Sequence, residues 1–146
     1  MYAQGVTVED DVFLGPNCVF TNDPNPRAYI KKSEDLLVRT LIRDHATLGA
    51  NATLICGITI GRYAFIGAGT VVIRSVADFA LVVGNPARQI GWMCVCAKRI
   101  RLGRDEGVLT CPHCLRDYRR GENGLVLLSP EDTSVPMRGG LFTSAQ

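Results

Sequence analysis

The sequence predicts an all-β protein, a parallel β-helix followed by a small cysteine-rich appendage. Two observations carry this prediction: a six-residue period of apolar side chains in the middle of the chain, and a group of four cysteines after it. The chain has 146 residues, which is enough for one modest domain and an appendage. We therefore expect a single core to carry the function.

The six-residue period is the main evidence for the β-helix. Aliphatic residues lead each hexad at Ile42, Leu48, Leu54, Ile60, Ile66 and Val72. Small or aliphatic residues stand four positions after each lead, at Ala46, Ala52, Ile58, Ala64, Thr70 and Val76. The same phase appears earlier at Val8, Leu14 and Phe20. An amphipathic α-helix has a different period, so the pattern favours very short strands joined by turns.

Three such hexads would close one triangular coil. The lead side chains would then point into the prism and stack on those of the next coil, as in other repeat proteins. Glycine follows the lead residue in Leu48-Gly49 and Ile60-Gly61, where we expect turn dihedrals that strain a residue with a Cβ atom. Asn51 tolerates the same kind of corner.

Changes in the pattern divide the chain into three parts. The β-helix is predicted over residues 1–90, and the phase breaks at residues 21–41, where proline, asparagine and aspartate predict a protruding loop. Such a loop either contacts substrate or is a surface insertion without function. Residues 91–128 form the cysteine-rich appendage, and residues 129–146, rich in Pro, Ser and Gly, are predicted to be a disordered tail.

Charge and hydropathy favour neither nucleic acid nor membrane as a partner. The 16 basic and 14 acidic residues leave a formal net charge of +2, far from the basic excess of a general nucleic-acid binder. No apolar run approaches the roughly 18 residues of a membrane span, and the first residues lack the pattern of a signal peptide. The sequence therefore predicts a cytoplasmic protein.

The appendage carries two cysteine pairs, Cys94 with Cys96 and Cys111 with Cys114. Two thiolate pairs close in sequence resemble a small zinc ribbon, in which a structural Zn²⁺ replaces a core too small to fold alone. The Cys-x-Cys spacing of the first pair departs from the usual Cys-x-x-Cys, and His113 is an alternative ligand. Reduced thiols without metal remain the alternative, while the isolated Cys18 and Cys56 are predicted to be ordinary core residues.

Several motifs together resemble one enzyme family. They are the segment Val6–Phe13, the run Phe20-Thr21-Asn22-Asp23, the triplet Asn25-Pro26-Arg27, the run Gly49–Thr53, the segment Val83–Arg88 and the run Gly91–Cys94. Over residues 1–128 the chain is similar to the hexapeptide-repeat nucleotide-sugar N-acetyltransferases, which acetylate the 3-amino group of UDP- or dTDP-linked amino sugars. The likeness is greatest to enzymes that act on UDP-2-acetamido-3-amino-2,3-dideoxyglucuronate in bacterial surface-polysaccharide synthesis. It also implies that the β-helix is left-handed, against the usual rule for parallel crossovers.

The resemblance implies a homotrimer that binds acetyl-CoA between adjacent prisms and the nucleotide-linked amino sugar near the loop. Asn22 is then the residue expected to contact the reacting sugar, with Asp23, Asn25 and Arg27 as further substrate-binding candidates. The acetyl-CoA candidates are Ala50, Ala68 and Gly69, whose small size lets a thin ligand approach the backbone, and Arg88, for the phosphates or the adenine.

The reaction needs a neutral amine to attack the thioester carbonyl, so a group must orient the amine and accept its proton. His45 is the catalytic candidate for a general base, because it is the histidine of the repeat region. The alternatives are that His45 is a solvated turn residue, and that the amine loses its proton to water or to the departing thiolate.

Relatives with this signature carry further coils before the segment that matches Val6, so the sequence predicts either a truncated start or a short prism. Two other functions remain open. One is a hexapeptide O-acetyltransferase acting on a hydroxyl, and the other is a noncatalytic trimeric scaffold.

Overall fold

The protein was analysed as a computed structural model, which describes residues 5–33, 36, 38–100 and 107–128. These residues form fifteen β-strands and no α-helix: β1 Val6–Val8, β2 Phe13–Leu14, β3 Val19–Phe20, β4 Thr40–Ile42, β5 Thr47–Leu48, β6 Thr53–Leu54, β7 Thr59–Ile60, β8 Phe65–Ile66, β9 Val71–Val72, β10 Ala80–Val83, β11 Arg88–Met93, β12 Arg99–Ile100, β13 Val108–Thr110, β14 Asp117–Gly121 and β15 Gly124–Leu127. No helix in these ranges is long and apolar enough to cross a membrane. The predicted disordered tail at 129–146 lies outside the described residues.

The first nine strands form a triangular prism with one sheet on each side. The first sheet has the order β1-β4-β7, the second begins β2-β5-β8, and the third has the order β3-β6-β9. Each strand from β1 to β6 pairs in parallel with the strand one coil later, so that Leu41 aligns with Thr59 and Thr47 aligns with Phe65. Each of these pairs is eighteen residues apart, which confirms that three hexads close one coil.

The hexad pattern predicted the interior of the prism. All six lead residues from Ile42 to Val72 are at most 1% exposed, and the second positions from Ala46 to Val76 are at most 9% exposed. Stacking these side chains coil on coil removes each from water, which for a Leu or Ile contributes about 1.5–3 kcal/mol. Val8 in the first coil is still 36% exposed, because no other described coil covers that side of it.

The corners of the prism use two different devices. Asn51 has a φ of 59°, as predicted, and His45 and Tyr63 occupy the same left-handed region at φ 60° and 54°. The prediction of strained dihedrals for Gly49 and Gly61 is wrong, because the φ of each lies outside the left-handed region. A Cβ atom on Gly49 would instead lie 2.5 Å from the backbone nitrogen of Ala68. This glycine is therefore needed for the close approach of two coils.

The chain leaves the prism by extending its second sheet. Strand β10 pairs in parallel with β8 and antiparallel with β11, and β11 pairs antiparallel with β12. Strand β11 thus crosses residue 90, the position at which the sequence predicts the end of the β-helix. The remaining strands form a separate antiparallel sheet in the order β13-β14-β15.

A second, smaller core lies under this antiparallel sheet. Its buried members are Phe79, Cys94, Ile100, Leu109, Cys111, Tyr118 and Leu125. Trp92 packs against both this core and the core of the prism. The two cores therefore meet at the end of the prism that carries the appendage.

Candidate functional site

The predicted catalytic and sugar-binding residues, and three of the four acetyl-CoA candidates, lie at three different corners of the prism. The loop corner joins the third sheet to the first and includes residues 21–33, 36, 38–39 and 55–58. The histidine corner joins the first sheet to the second and includes residues 43–46 and 61–64. The glycine corner joins the second sheet to the third and includes residues 49–52 and 67–70. Within one chain, the fold therefore separates the three groups of candidates.

The loop corner carries Asn22, Asp23, Asn25 and Arg27. Asn22 directly follows the third sheet and is half-buried, and its carbonyl oxygen accepts a hydrogen bond of 3.4 Å from the backbone N–H of Val38. Asn25 and Arg27 lie further out and are exposed. The base of the loop is thus fixed by backbone contacts, while its outer side chains face solvent.

A lysine that the sequence did not single out organises this loop. The Nζ atom of Lys32 lies 2.6 Å from Oδ1 of Asp23 and 2.9 Å from the carbonyl oxygen of Asn25. The backbone N–H of Asn25 also donates to Oδ1 of Asp23 at 2.8 Å. The hydrogen bond from Lys32, followed by the one from Asn25, lowers the pKa of the Asp23 carboxyl. Asp23 is therefore ionised and already paired within the loop.

His45 begins a column of aromatic rings at the histidine corner. Its ring stacks on that of Tyr63 with centroids 4.5 Å apart, and Tyr63 stacks on Phe79 with centroids 5.0 Å apart. Nδ1 of His45 lies 3.7 Å from Oδ2 of Asp11, which is too long for a hydrogen bond but suits an ion pair once the ring is protonated. The side chain of His45 is 26% exposed. This residue combines a structural stack with an accessible edge.

The glycine corner aligns three of the acetyl-CoA candidates in a column. Ala50 and Ala68 occupy equivalent positions in successive coils, and the N–H of Gly69 donates to the carbonyl oxygen of Ala50 at 2.8 Å. Ala68 and Gly69 are exposed, and Ala50 is half-buried. No atom lies within 4 Å of the point where a Cβ on Gly69 would stand. The column therefore offers backbone groups along an open surface that runs parallel to the prism axis.

Arg88 directly follows Ala87, whose N–H donates to the carbonyl oxygen of Val71 in the last coil of the prism at 2.9 Å. It lines a cavity of about 340 Å³ together with Arg74 and Ser75. The sequence analysis did not single out Arg74, because the hexad pattern places it at an ordinary turn position. Two guanidinium groups at one cavity are suited to phosphate groups, which they can bind with paired hydrogen bonds.

The four predicted metal ligands come together in the appendage. The Sγ atoms of Cys94, Cys96, Cys111 and Cys114 all lie within 4.8 Å of one another. We call these residues the four-cysteine cluster. Cys94 and Cys114 are separated by 3.4 Å between sulfurs, and Cys96 and Cys111 by 3.7 Å. His113 is not part of the cluster.

The surroundings of the cluster shift the pKa values of its thiols in different directions. Burial raises the pKa of the Cys94 and Cys96 thiols. Burial also acts to raise the pKa of Cys114, but hydrogen bonds from the backbone and guanidinium of Arg116 outweigh it and lower that pKa to about 6. The other two cysteines lie in the prism, where Cys56 is buried and Sγ of Cys18 lies 3.3 Å from the carbonyl oxygen of Gly49.

Comparison with known proteins identifies the repeat. Residues 39–74 match the family model described as bacterial transferase hexapeptide (six repeats). A serine acetyltransferase from Brucella abortus strain S19 superposes with a TM-score of 0.50 and 32% identity over 62% of this chain and 33% of that one. A galactoside acetyltransferase in complex with coenzyme A gives a TM-score of 0.51 and 24% identity over 60% and 44% of the two chains. The prism is thus a left-handed parallel β-helix, and its residues 39–74 carry the hexapeptide repeat.

A curated relative points to a narrower group. The dTDP-3-amino-3,6-dideoxy-alpha-D-galactopyranose 3-N-acetyltransferase of Aneurinibacillus thermoaerophilus is 45% identical over 73 residues. The match covers 50% of this chain and 38% of that relative. The chain therefore spans well under half of the length of this relative.

Proposed function

We propose that the chain is an acetyl-CoA-dependent N-acetyltransferase that acts on the amino group of a nucleotide-linked 3-amino sugar. The observation that carries the proposal is the column of small residues at the glycine corner, which leaves backbone groups open along the prism. The 45% identity to a sugar 3-N-acetyltransferase supports the choice of acceptor. We place the reaction in the cytoplasm and in bacterial surface-polysaccharide synthesis.

Acetyl-CoA fits the column on physical grounds. Its pantetheine arm is thin and has amide groups, so it can lie against Ala50 and Ala68 and exchange hydrogen bonds with the backbone. Its phosphates would then meet Arg88, which follows the segment packed on Val71 in the last coil. A ligand held along the axis in this way leaves its thioester pointing away from the appendage, toward the coil that carries the loop.

The separation of the loop corner from the glycine corner supports a homotrimer. Asn22 follows a strand of the third sheet, and Ala50 precedes one, so the two residues lie at opposite ends of the strands of this sheet. One chain therefore does not bring the sugar candidates and the acetyl-CoA candidates together. Packing three prisms side by side around an axis would place the loop corner of one chain beside the glycine corner of the next. We infer that each active site is shared by two subunits.

The chemistry assigns different roles to the two catalytic candidates. The half-buried Asn22 at the fixed base of the loop would hydrogen-bond the sugar and orient its amine for attack on the thioester carbonyl. His45 would act as general base only if the neighbouring subunit brings its exposed edge to the same amine. Without that contact, the amine proton passes to water or to the departing thiolate.

An O-acetyltransferase is the second candidate function. It is favoured by the likeness to a serine acetyltransferase and by the ion-pair distance between His45 and Asp11, since a hydroxyl nucleophile needs a base more than an amine does. The two candidates differ in their acceptor and in their dependence on His45. Both require acetyl-CoA, and a noncatalytic scaffold does not.

The deciding experiment measures thiol release from acetyl-CoA by the purified chain. The acceptors are UDP- and dTDP-linked 3-amino sugars, the same sugars with a hydroxyl in place of the amine, and serine. We expect release only with the amino sugars, and we expect the Ala68→Trp variant to lose it. Release with hydroxyl acceptors alone would support the O-acetyltransferase, and a chain that neither binds nor consumes acetyl-CoA would contradict both enzymes.

A further inference from the structure

We propose that the four-cysteine cluster binds one structural Zn²⁺, and that the metal-loaded appendage caps the end of the prism. This inference is independent of the acetyl-transfer reaction. The cluster is remote from the loop corner and shares no residue with the candidate acetyl-CoA column.

The arrangement of the sulfur atoms fits a tetrahedral metal. A zinc ion bound by four thiolates at about 2.3 Å requires the sulfurs to be about 3.8 Å apart. The observed separations of 3.4 Å for Cys94 and Cys114 and 3.7 Å for Cys96 and Cys111 are close to this value. Four soft ligands in such a group select Zn²⁺ over the harder Mg²⁺ and Ca²⁺.

The two cysteine pairs are presented by similar turns. In the first turn, the N–H of Cys94 donates to the carbonyl oxygen of Lys98, and the residue after Cys96 has a φ of 58°. In the second turn, the N–H of Cys111 donates to the carbonyl oxygen of Arg116, and the residue after Cys114 has a φ of 62°. The unusual Cys-x-Cys spacing of the first pair therefore does not prevent it from forming a ligand-presenting turn.

Groups around the cluster are placed to stabilise thiolates. The backbone N–H of Lys98 bonds the sulfur of Cys96, and the backbone and guanidinium of Arg116 bond the sulfur of Cys114. The hydroxyl of Tyr118 lies 2.9 Å from Sγ of Cys94. Outer hydrogen bonds of this kind orient metal ligands and partly offset the negative charge of four thiolates around one divalent ion.

The small core of the appendage explains why a metal is needed. Among its buried members are two of the cluster's own residues, Cys94 and Cys111. Short segments that cannot bury enough apolar surface depend on disulfides or metals for their stability. Binding of zinc to ligands that are scattered in the unfolded chain adds directly to the free energy of folding.

The appendage is joined to the prism at several points next to the cluster. The N–H of Met93 donates to the carbonyl oxygen of Phe79 at 2.7 Å, one residue before the first ligand. The N–H of Asp78 donates to the carbonyl oxygen of Asn123 at 2.8 Å, at the β14–β15 turn. A Cβ atom on Gly124 would collide with the carbonyl oxygen of Asp78, so this turn packs directly on the last coil. Folding of the appendage therefore also fixes the residues of the last coil that it contacts.

The first test measures zinc in chain that is purified without added metal. We expect elemental analysis to find one zinc ion per chain. In the Cys111→Ser variant, we expect the zinc content to fall by more than about tenfold. Cys18→Ser is the matched control, since it makes the same change in the prism and should keep the metal. Zinc in both variants, or in neither the variants nor the parent chain, would overturn the site.

A second test avoids the possibility that Cys111→Ser does not fold. The reduced wild-type chain is stripped with a chelator and titrated with Co²⁺, which has a characteristic absorption when four thiolates surround it tetrahedrally. We expect saturation at one equivalent and displacement by zinc. Two disulfides in place of free thiols, detected by mass spectrometry of the chain purified under nitrogen, would contradict the proposal.

Hydrogen exchange tests the capping role. Removal of zinc should accelerate exchange at the N–H groups of Asp78 and Met93, which bridge the prism and the appendage. The N–H of Gly49, which donates to the carbonyl oxygen of Ile66 inside the prism, should remain protected. Unchanged exchange at Asp78 and Met93 after removal of the metal would overturn the capping role while leaving the zinc site in place.

Discussion

The ring of Phe79 meets the ring of Tyr118 edge-on, with centroids 5.3 Å apart and an interplanar angle of 67°. Phe79 belongs to the aromatic column at the histidine corner, and Tyr118 belongs to the appendage. Edge-to-face pairs of this kind are stabilising. The contact therefore links the column that starts at His45 to the four-cysteine cluster, through the hydroxyl of Tyr118.

The variant Tyr118→Phe tests the hydroxyl without removing the ring. The hydroxyl group accepts a hydrogen bond from the N–H of Val95 and bonds the sulfur of Cys94, and the side chain is fully buried. We expect the free energy of unfolding to fall by about 1–3 kcal/mol, because Val95 is left without its partner. Urea denaturation measures this change in the free energy of unfolding. Tyr29→Phe, at a side chain 83% exposed, should change nothing, and equal effects of the two variants would refute the role of the Tyr118 hydroxyl.

The variant Ala68→Trp tests the acetyl-CoA column. A bulky ring on this exposed corner position would cover the surface along which the pantetheine arm is proposed to lie. We expect binding of CoA, measured by calorimetry, to weaken by at least about tenfold, or 1.4 kcal/mol, with an unchanged melting temperature. Val126→Trp, which adds the same ring to an exposed position in the appendage, serves as control. Unimpaired binding in Ala68→Trp would exclude the glycine corner as the acetyl-CoA site.

The variants Asn22→Ala and His45→Asn separate the two catalytic candidates. Asparagine keeps the left-handed corner at residue 45 but loses the stack on Tyr63, so we expect a loss of about 0.5–1.5 kcal/mol in stability. Turnover should fall by less than about tenfold in His45→Asn and by more than about a hundredfold in Asn22→Ala. Steady-state kinetics with saturating acetyl-CoA measure both. The reverse order would assign the general base to His45.

The variant Gly49→Ala tests the close approach of two coils. Its new methyl group would stand 2.5 Å from the backbone nitrogen of Ala68, so the coils must separate. We expect a loss of about 1–3 kcal/mol in the free energy of unfolding, which thermal denaturation can follow. Gly69→Asn is the comparison, because it has open space and asparagine tolerates the φ of 70°. A larger loss in Gly69→Asn than in Gly49→Ala would contradict this explanation.

The sequence by itself determined the prism and the composition of the cluster. The period of six requires that Leu48, Leu54 and Ile60 face one interior, because only a turn after every hexad returns each lead residue to the same side. The spacing of the cysteines likewise limited the appendage to metal or thiol chemistry. These features depend on local order along the chain, which a sequence displays directly.

Only the tertiary structure decided which residues meet. The register of the coils separates Asn22, His45 and Ala50 onto three corners, and the fold of the last coil places Arg74 and Arg88 at one cavity. It also shows that Gly49 is required by the neighbouring coil and not by its own dihedral angles. Such relationships depend on pairing between residues that are distant in the chain, and the six-residue period carries no information about them.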